Sequence, residues 1–184
     1  MSDKNVPSQF PILHSERVLL REIRDVDAEA IFAFKSDVEV TRHYGQEPHR
    51  TLADTHDWLR RLDESYRRGE DFAWLVTLNT DGSVAGLITL WNFDASRRCA
   101  ELGYELAREY QHQGIMSEAT AKVIEFGFAT LGLHRIEANP LTENAASVAL
   151  LRILGFKLEG ILHERIYFRG AFYDQAYYAL LSEG

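Results

Sequence analysis

The order of apolar and polar positions divides the chain into short elements. Val18 to Ile23 (VLLREI) predicts a strand that follows a tail over residues 1–14. Asp25 predicts the N-cap of a helix through Phe34: a carboxylate there accepts from free N–H groups of the first turn, and Ala28, Ile31 and Phe32 then share one face. Asp37 to Tyr44 predicts a short second helix. Thr51 with Asp54 three residues on predicts a reciprocally capped helix. Trp58, Leu59, Leu62 and Tyr66 recur along it at helical spacing, and Gly69 ends it. Phe72 to Leu78 reads as a mostly apolar strand, Asn79-Thr80-Asp81-Gly82 as a hairpin turn, and Val84 to Trp91 as the returning strand. Arg98 to Leu106 is the next strand.

A polar connection, Ala107 to Gly114, leads into a helix over Ile115 to Leu131. Ile115, Ala119, Val123, Phe126 and Thr130 form its stripe, and Gly132 lies just past its end. His134 to Ala138 predicts a strand, and Glu143 to Leu154 a helix stopped by Gly155. Phe156 to Tyr167 and Phe172 to Leu181 predict two strands joined around Arg169-Gly170. Three consecutive strands followed by strand–helix–strand alternation predict an α/β domain over residues 15–184. Its sheet is mixed and mostly antiparallel, with about seven strands and helices on both faces.

Composition narrows the function. At 184 residues, 46% hydrophobic and 26% charged, the chain is sized for one domain with its own core. A formal net charge of −8 argues against a generic nucleic-acid binder and leans toward a cationic partner, because an acidic surface draws cations inward. Cys99 is the single cysteine, which rules out an intramolecular disulfide and a cysteine-rich zinc site and suits a reducing cytoplasm. Met1 to Phe10 carries no apolar leader, and the longest apolar runs, such as Phe72 to Val76, are too short to span a bilayer. His43, His49 and His56 are not at helix-face metal spacing, so no metal is expected. Trp58, Tyr66, Trp74 and Trp91 are read as core or cleft lining rather than a nucleic-acid platform.

Glu101 to Ala121 (ELGYELAREYQHQGIMSEATA) is the segment with chemistry in it. A strand ends, a short loop carries Gln111-His112-Gln113-Gly114, and a helix begins at once. Free N–H groups and the positive end of the helix dipole make such a junction an anion site, and a glycine there lets the backbone approach a pyrophosphate closely. An ordinary strand-to-helix loop would look the same on spacing alone. GxxxxGK[ST] and GxGxxG are both absent.

At this junction the chain resembles the GNAT superfamily of acetyl-CoA-dependent N-acetyltransferases, whose signature is Q/R-x-x-G-x-G/A. Gln111 and Gly114 match it, Met116 stands at the final Gly/Ala, and His112 stands where many members carry another glycine. Ser15 to Arg21 resembles the family's TERLxLR opening, Ala100 to Tyr104 its AEIGY strand, and Asn144 to Ser147 with Gly155-Phe156 and Glu159-Gly160 its NxxS…GFxxEG pattern. The combination is most similar to the RimJ/RimL branch, which includes acetyltransferases of ribosomal-protein N-termini.

The resemblance implies that backbone amides of Gln111, His112, Gln113, Gly114, Ile115, Met116 and Ser117 hold the pyrophosphate of coenzyme A. It implies that the pantetheine arm runs along Tyr104 to Leu106, with an N–H near Leu106 facing the thioester oxygen, and that Asn144 touches the pantetheine. Ser147 matches the donor to the departing sulfur in the RimL branch, where many other members use a tyrosine. Asn144 as a helix cap and Ser147 as a packed residue are the plainer alternatives. Glu101 is the candidate general base. It shares a strand face with Gly103 and Glu105, the small glycine leaves room for substrate, and relatives carry an acid here. Glu105 and Glu164 are further carboxylates to weigh. Direct transfer is expected, since Cys99 has no neighbouring base and no GxSxG occurs. The implied acceptor is first a protein N-terminal α-amine. A small cationic amine such as a polyamine or aminoglycoside is the alternative, and a catalytically silent coenzyme A module is the rival from another class. Monomer and homodimer are both left open.

Overall fold

The computed structural model describes residues 7, 9–94, 96 and 98–182. Within the stretch read as a tail, Leu13–His14 (β1) pairs antiparallel with Val18–Glu22 (β2). The sheet therefore has eight strands rather than seven. Two residues are too few to show alternation, and this strand is fixed by its surroundings: Trp74 Nε1 donates to the Pro11 carbonyl at 2.7 Å, and Phe10 packs on Tyr66 and Trp74. Residues 1–6 and 8 of the expected tail lie outside the described residues.

A 3-10 turn over Asp25–Asp27 leads into Ala28–Lys35 (α1). Asp27, not Asp25, serves this start. Its carboxylate accepts from the Arg24 N–H at 2.8 Å and from both terminal nitrogens of Arg21, at 2.8 and 2.7 Å. That two-pronged grip outcompetes the local cap read at Asp25, which pairs instead with His56. Val38–Thr41 (α2) is capped by Asp37, and Leu52–Arg67 (α3) by the expected exchange between Thr51 and Asp54.

Phe72–Leu78 (β3), Val84–Trp91 (β4) and Cys99–Leu106 (β5) form an antiparallel meander. Ile115–Ala129 (α4) crosses over to Arg135–Ala138 (β6), and Ala145–Ile153 (α5) precedes the long hairpin of Lys157–Phe168 (β7) and Ala171–Leu181 (β8). The α4 stripe holds at Ile115, Ala119, Val123 and Phe126. The helix then closes early, with the Thr130 and Leu131 N–H groups both turned to the Phe126 carbonyl, so Thr130 is exposed. The strand order is β1-β2-β3-β4-β5-β6-β8-β7, and only β5 and β6 are parallel.

β3 explains why its sequence is apolar throughout. Phe72, Trp74 and Val76 point into the larger core with Ile115, Ala119, Val123 and Phe126 of α4, whereas Leu75 faces Ile31, Phe34 and Leu87 on the side of α1. A strand covered by helices on both faces has no polar side to offer.

The β5–β6 pairing places the site. It runs only over Cys99↔Arg135, Ala100↔Ile136 and Glu101↔Glu137, although β5 continues to Leu106. Beyond Glu101 the two strands separate. From Leu102 to Leu106 one edge of β5 has no strand partner among the described residues, and Ser147 at the start of α5 is bonded across to Tyr104. On its other edge β5 is tightly held: a Cβ added at Gly86 of β4 would lie 2.1 Å from the Glu105 carbonyl oxygen, so only glycine permits this approach.

Candidate active site

At the end of β5 the chain turns through a 3-10 segment, Arg108–Tyr110, into the loop before α4. Gln111 Nε2 donates to the Leu106 carbonyl at 3.1 Å and ties the loop back to the strand. His112 and Gly114 both have left-handed backbone, φ 60° and 76°. For glycine that conformation is free. For His112 it costs about 1 kcal/mol or more, which is the physical content of the glycine found there in many similar sequences. Met116, the other departure from the signature, is buried in the core, so its bulk is turned away from the loop.

Gly114 is the N-cap of α4, and Glu118 is the first residue whose N–H returns to it, at 3.1 Å. The N–H groups of Ile115, Met116 and Ser117 precede that bond and have no helical partner, so they form the donor set expected for an anion. The outer half of this loop is exposed.

The open edge of β5 supplies the second element. The Ala107 N–H donates to Ala85 of β4 at 2.8 Å, so strand alternation turns the Leu106 N–H to the unpaired edge. Tyr104 reaches across the same gap, its hydroxyl 2.7 Å from Ser147 Oγ at the start of α5. Burial, only partly offset by that hydrogen bond, pushes the Tyr104 hydroxyl up to about 12, so it keeps its proton at neutral pH. Asn144 Oδ1 accepts from the Ser147 N–H at 3.1 Å and caps α5, a bond that leaves its amide nitrogen uncommitted. Tyr104 is the residue that the sequence did not single out as a donor. Its signal was its position on the strand face opposite Glu101, together with the use of a tyrosine elsewhere in similar proteins.

On the acceptor side lies a cavity of about 460 Å³. Its walls include Trp58 and Leu62 of α3 and Trp91 of β4, so the α3 stripe lines a cleft as much as it fills a core. Glu101, Gly103 and Glu105 line it from β5, with Asp71 and Asn139. Burial raises the Glu101 carboxyl above the ordinary glutamate range, while Asn92 and Asn139 hydrogen bonds oppose the rise and keep it ionisable. Burial raises Asp71 as well and lowers His43.

Glu105 differs from Glu101. One of its oxygens pairs with Lys35 at 2.7 Å, while Lys35 also sits 4.3 Å from the Trp58 ring centre; the other oxygen is buried without a partner. Its carboxylate is thus already engaged by a buried lysine, whereas Glu101 has no cationic partner among the described residues. Glu164 is remote, at the irregularity of β7 beside Asp174, and does not line the cavity. Asn139 Oδ1 is a second buried acceptor without a partner. His43, His49 and His56 go to Arg42, Thr55 and Asp25 respectively, and among the described residues no three metal-ligating side chains converge.

Comparison with known proteins establishes the family. Residues 17–157 match the acetyltransferase (GNAT) domain. The chain is 37% identical over 172 residues to the uncharacterized N-acetyltransferase YoaA of Bacillus subtilis, covering 94% of this chain and 97% of that one. It is 38% identical over 101 residues, 55% of either chain, to the putative ribosomal N-acetyltransferase YdaF of the same organism. It is 27% identical to the spermidine N(1)-acetyltransferase of Escherichia coli, covering 89% of this chain and 84% of that one. Among solved structures, Mycobacterium smegmatis RimJ in complex with CoA-disulfide superposes with a TM-score of 0.78 at 28% identity, over 90% of this chain and 82% of that one. The chain belongs to the GNAT family and is an acetyl-CoA-dependent N-acetyltransferase.

Proposed function

We propose that this enzyme transfers acetyl directly to a primary amine on an acceptor that carries further positive charge. One observation supports this reading above all. Three carboxylates, Asp71, Glu101 and Glu105, line the cavity, and among the described residues no lysine or arginine lines it. Even with Lys35 set against Glu105, the excess is negative and partly desolvated. Such a cavity concentrates cations and binds them against Trp58 and Trp91.

Acetyl-CoA supplies an acetyl group already activated as a thioester. The protein contributes orientation and proton handling. The N–H groups at the start of α4 hold the diphosphate, and the open edge of β5 aligns the arm, with the Leu106 N–H directed at the carbonyl oxygen. Glu101 takes a proton from the incoming ammonium, because only the neutral amine attacks. Tyr104, hydrogen-bonded to Ser147, holds a proton at its hydroxyl where the departing sulfur needs one. The departing thiolate is a good leaving group, so a donor of this weakness suffices to protonate it.

A protein N-terminal α-amine remains the second reading, favoured by Glu101 itself. A carboxylate is a modest base, better matched to an α-amine of pKa about 8 than to an alkylamine above 10. The two readings meet in a peptide whose N-terminus is followed by basic residues. Mass spectrometry after incubation with acetyl-CoA separates them, using peptides matched except for basic or acidic second and third residues, and a panel of linear polyamines. Acetylation of the basic peptides or of the polyamines, with the acidic peptides untouched, is the expected result. Equal acetylation of acidic and basic peptides would remove the charge argument, and polyamine acetylation alone would end the protein-substrate reading.

A further inference from the structure

Arg17, on the turn between β1 and β2, is joined to the anion loop from nearly 100 residues away in sequence. Its Nε donates to Glu118 Oε2 at 2.6 Å, and its backbone N–H donates to Glu118 Oε1 at 2.8 Å. Ser15 Oγ donates to the same Oε1 at 2.6 Å. Arg17 Nη1 donates to the Gln113 carbonyl at 2.9 Å. Nη2 stands 3.3 Å from where a Cβ on Gly114 would be, and no hydrogen bond is recorded for it among the described residues. The guanidinium is about half exposed, at 47% for the side chain.

This arrangement answers a problem posed by the sequence. Gln111 to Ser117 contains no lysine or arginine, yet it faces a diphosphate. Glu118, one turn into α4, places a negative charge near that anion, and the Gln113 carbonyl is a second negative centre beside it. A single guanidinium engages both and retains one donor nitrogen at the glycine.

We propose that Arg17 is a phosphate ligand of coenzyme A, donating through Nη2 to a phosphate oxygen at the start of α4 while Nε and Nη1 neutralise Glu118 and hold the Gln113 carbonyl away. The proposal rests on the diphosphate lying at the start of α4. It adds a binding residue outside the Gln111–Gly114 signature, with a role a structural tether would not have. No covalent step is involved.

Calorimetric titration tests it, with coenzyme A, 3′-dephospho-coenzyme A and pantetheine as ligands and no acceptor present. A charge-assisted hydrogen bond to phosphate predicts that Arg17→Gln weakens coenzyme A about 10- to 100-fold. Pantetheine binding stays unchanged, and Arg17→Lys, which keeps the charge and loses the fork, lies between. If the contact is to the diphosphate, dephospho-coenzyme A is weakened by the same factor. If it is to the 3′-phosphate, dephospho-coenzyme A is unaffected by the substitution.

Glu118→Gln is the decisive companion. It breaks the same ion pair but leaves the guanidinium in place and removes a negative charge, so coenzyme A affinity is expected to hold or rise. Equal weakening by Arg17→Gln and Glu118→Gln would show that Arg17 only braces the loop, and would overturn the proposal. Unchanged coenzyme A affinity in Arg17→Gln would overturn it as well, and Gly114→Val then separates the two causes. If Gly114→Val also leaves coenzyme A affinity intact, the diphosphate is elsewhere; if it weakens binding while Arg17→Gln does not, only the role of Arg17 is lost.

Discussion

Glu101→Gln is expected to lower kcat by about 10²- to 10⁴-fold, the usual contribution of a positioned general base. Acetyl-CoA affinity is expected to stay nearly unchanged. In the wild type the rate is expected to fall as pH drops through the Glu101 pKa, which burial raises above the ordinary glutamate range. In the variant this limb disappears, and the rate follows the acceptor's own ionisation. Stability supplies the control. A carboxyl whose pKa is raised by folding binds its proton more tightly in the native state, so its contribution falls as pH rises from the unfolded to the folded pKa and remains unfavourable above both. Removing the charge therefore leaves Tm at pH 7 equal or higher, and lost activity cannot be ascribed to lost fold. Tyr104→Phe is expected to give a contrasting loss, with kcat lower and the acidic limb kept, if the hydroxyl serves the sulfur and not the amine. An unchanged pH–rate profile in Glu101→Gln would dismiss it as the base.

Gly114→Val is expected to raise the dissociation constant of acetyl-CoA on the order of 100-fold, read by calorimetry. A β-branched residue at φ 76° costs about 1–3 kcal/mol wherever it is held, and here its Cβ would also lie 3.3 Å from Arg17 Nη2. The backbone escapes by rotating out of the left-handed region. That rotation turns the N–H groups of Ile115, Met116 and Ser117 away from a common centre. Gly170→Val serves as a comparison: its glycine is also left-handed, φ 80°, but sits in the distant β7–β8 turn with nothing near its missing Cβ. It is expected to reduce Tm and leave coenzyme affinity alone. Unaltered acetyl-CoA affinity in Gly114→Val would place the diphosphate at another part of the surface.

Elements with strong periodicity were legible in the sequence to within a residue or two. β3, β4, α3 and α4 carry their own boundaries in apolar runs, a capping pair and glycine stops. β1 was not, because two residues have no period and the segment before it is fixed by the bond from Trp74 to Pro11, 63 positions apart. The Asp25 cap failed for a similar reason: the grip of Arg21 on Asp27 is a tertiary choice between two nearby carboxylates.

At the site, the loop and its glycine were readable, and so was Glu101, whose face on the strand follows from alternation. The separation of β5 from β6 was not. The pairing stops after three residue pairs, and no local pattern encodes where two strands distant in sequence part. Tyr104 and Ser147 are 43 residues apart, and Lys35 and Glu105 are 70 apart, so neither pairing has a sequence signal. Each sits where that gap or the facing cleft brings distant segments together.

The measurement that tests the account most directly is amide hydrogen–deuterium exchange with and without acetyl-CoA. Slowed exchange is expected at Leu106 on the open edge of β5 and at Ile115, Met116 and Ser117, with Ala107, already bonded to Ala85, little changed. Slowing confined to other segments, with these four amides unaffected, would contradict the placement of the coenzyme and the chemistry built on it.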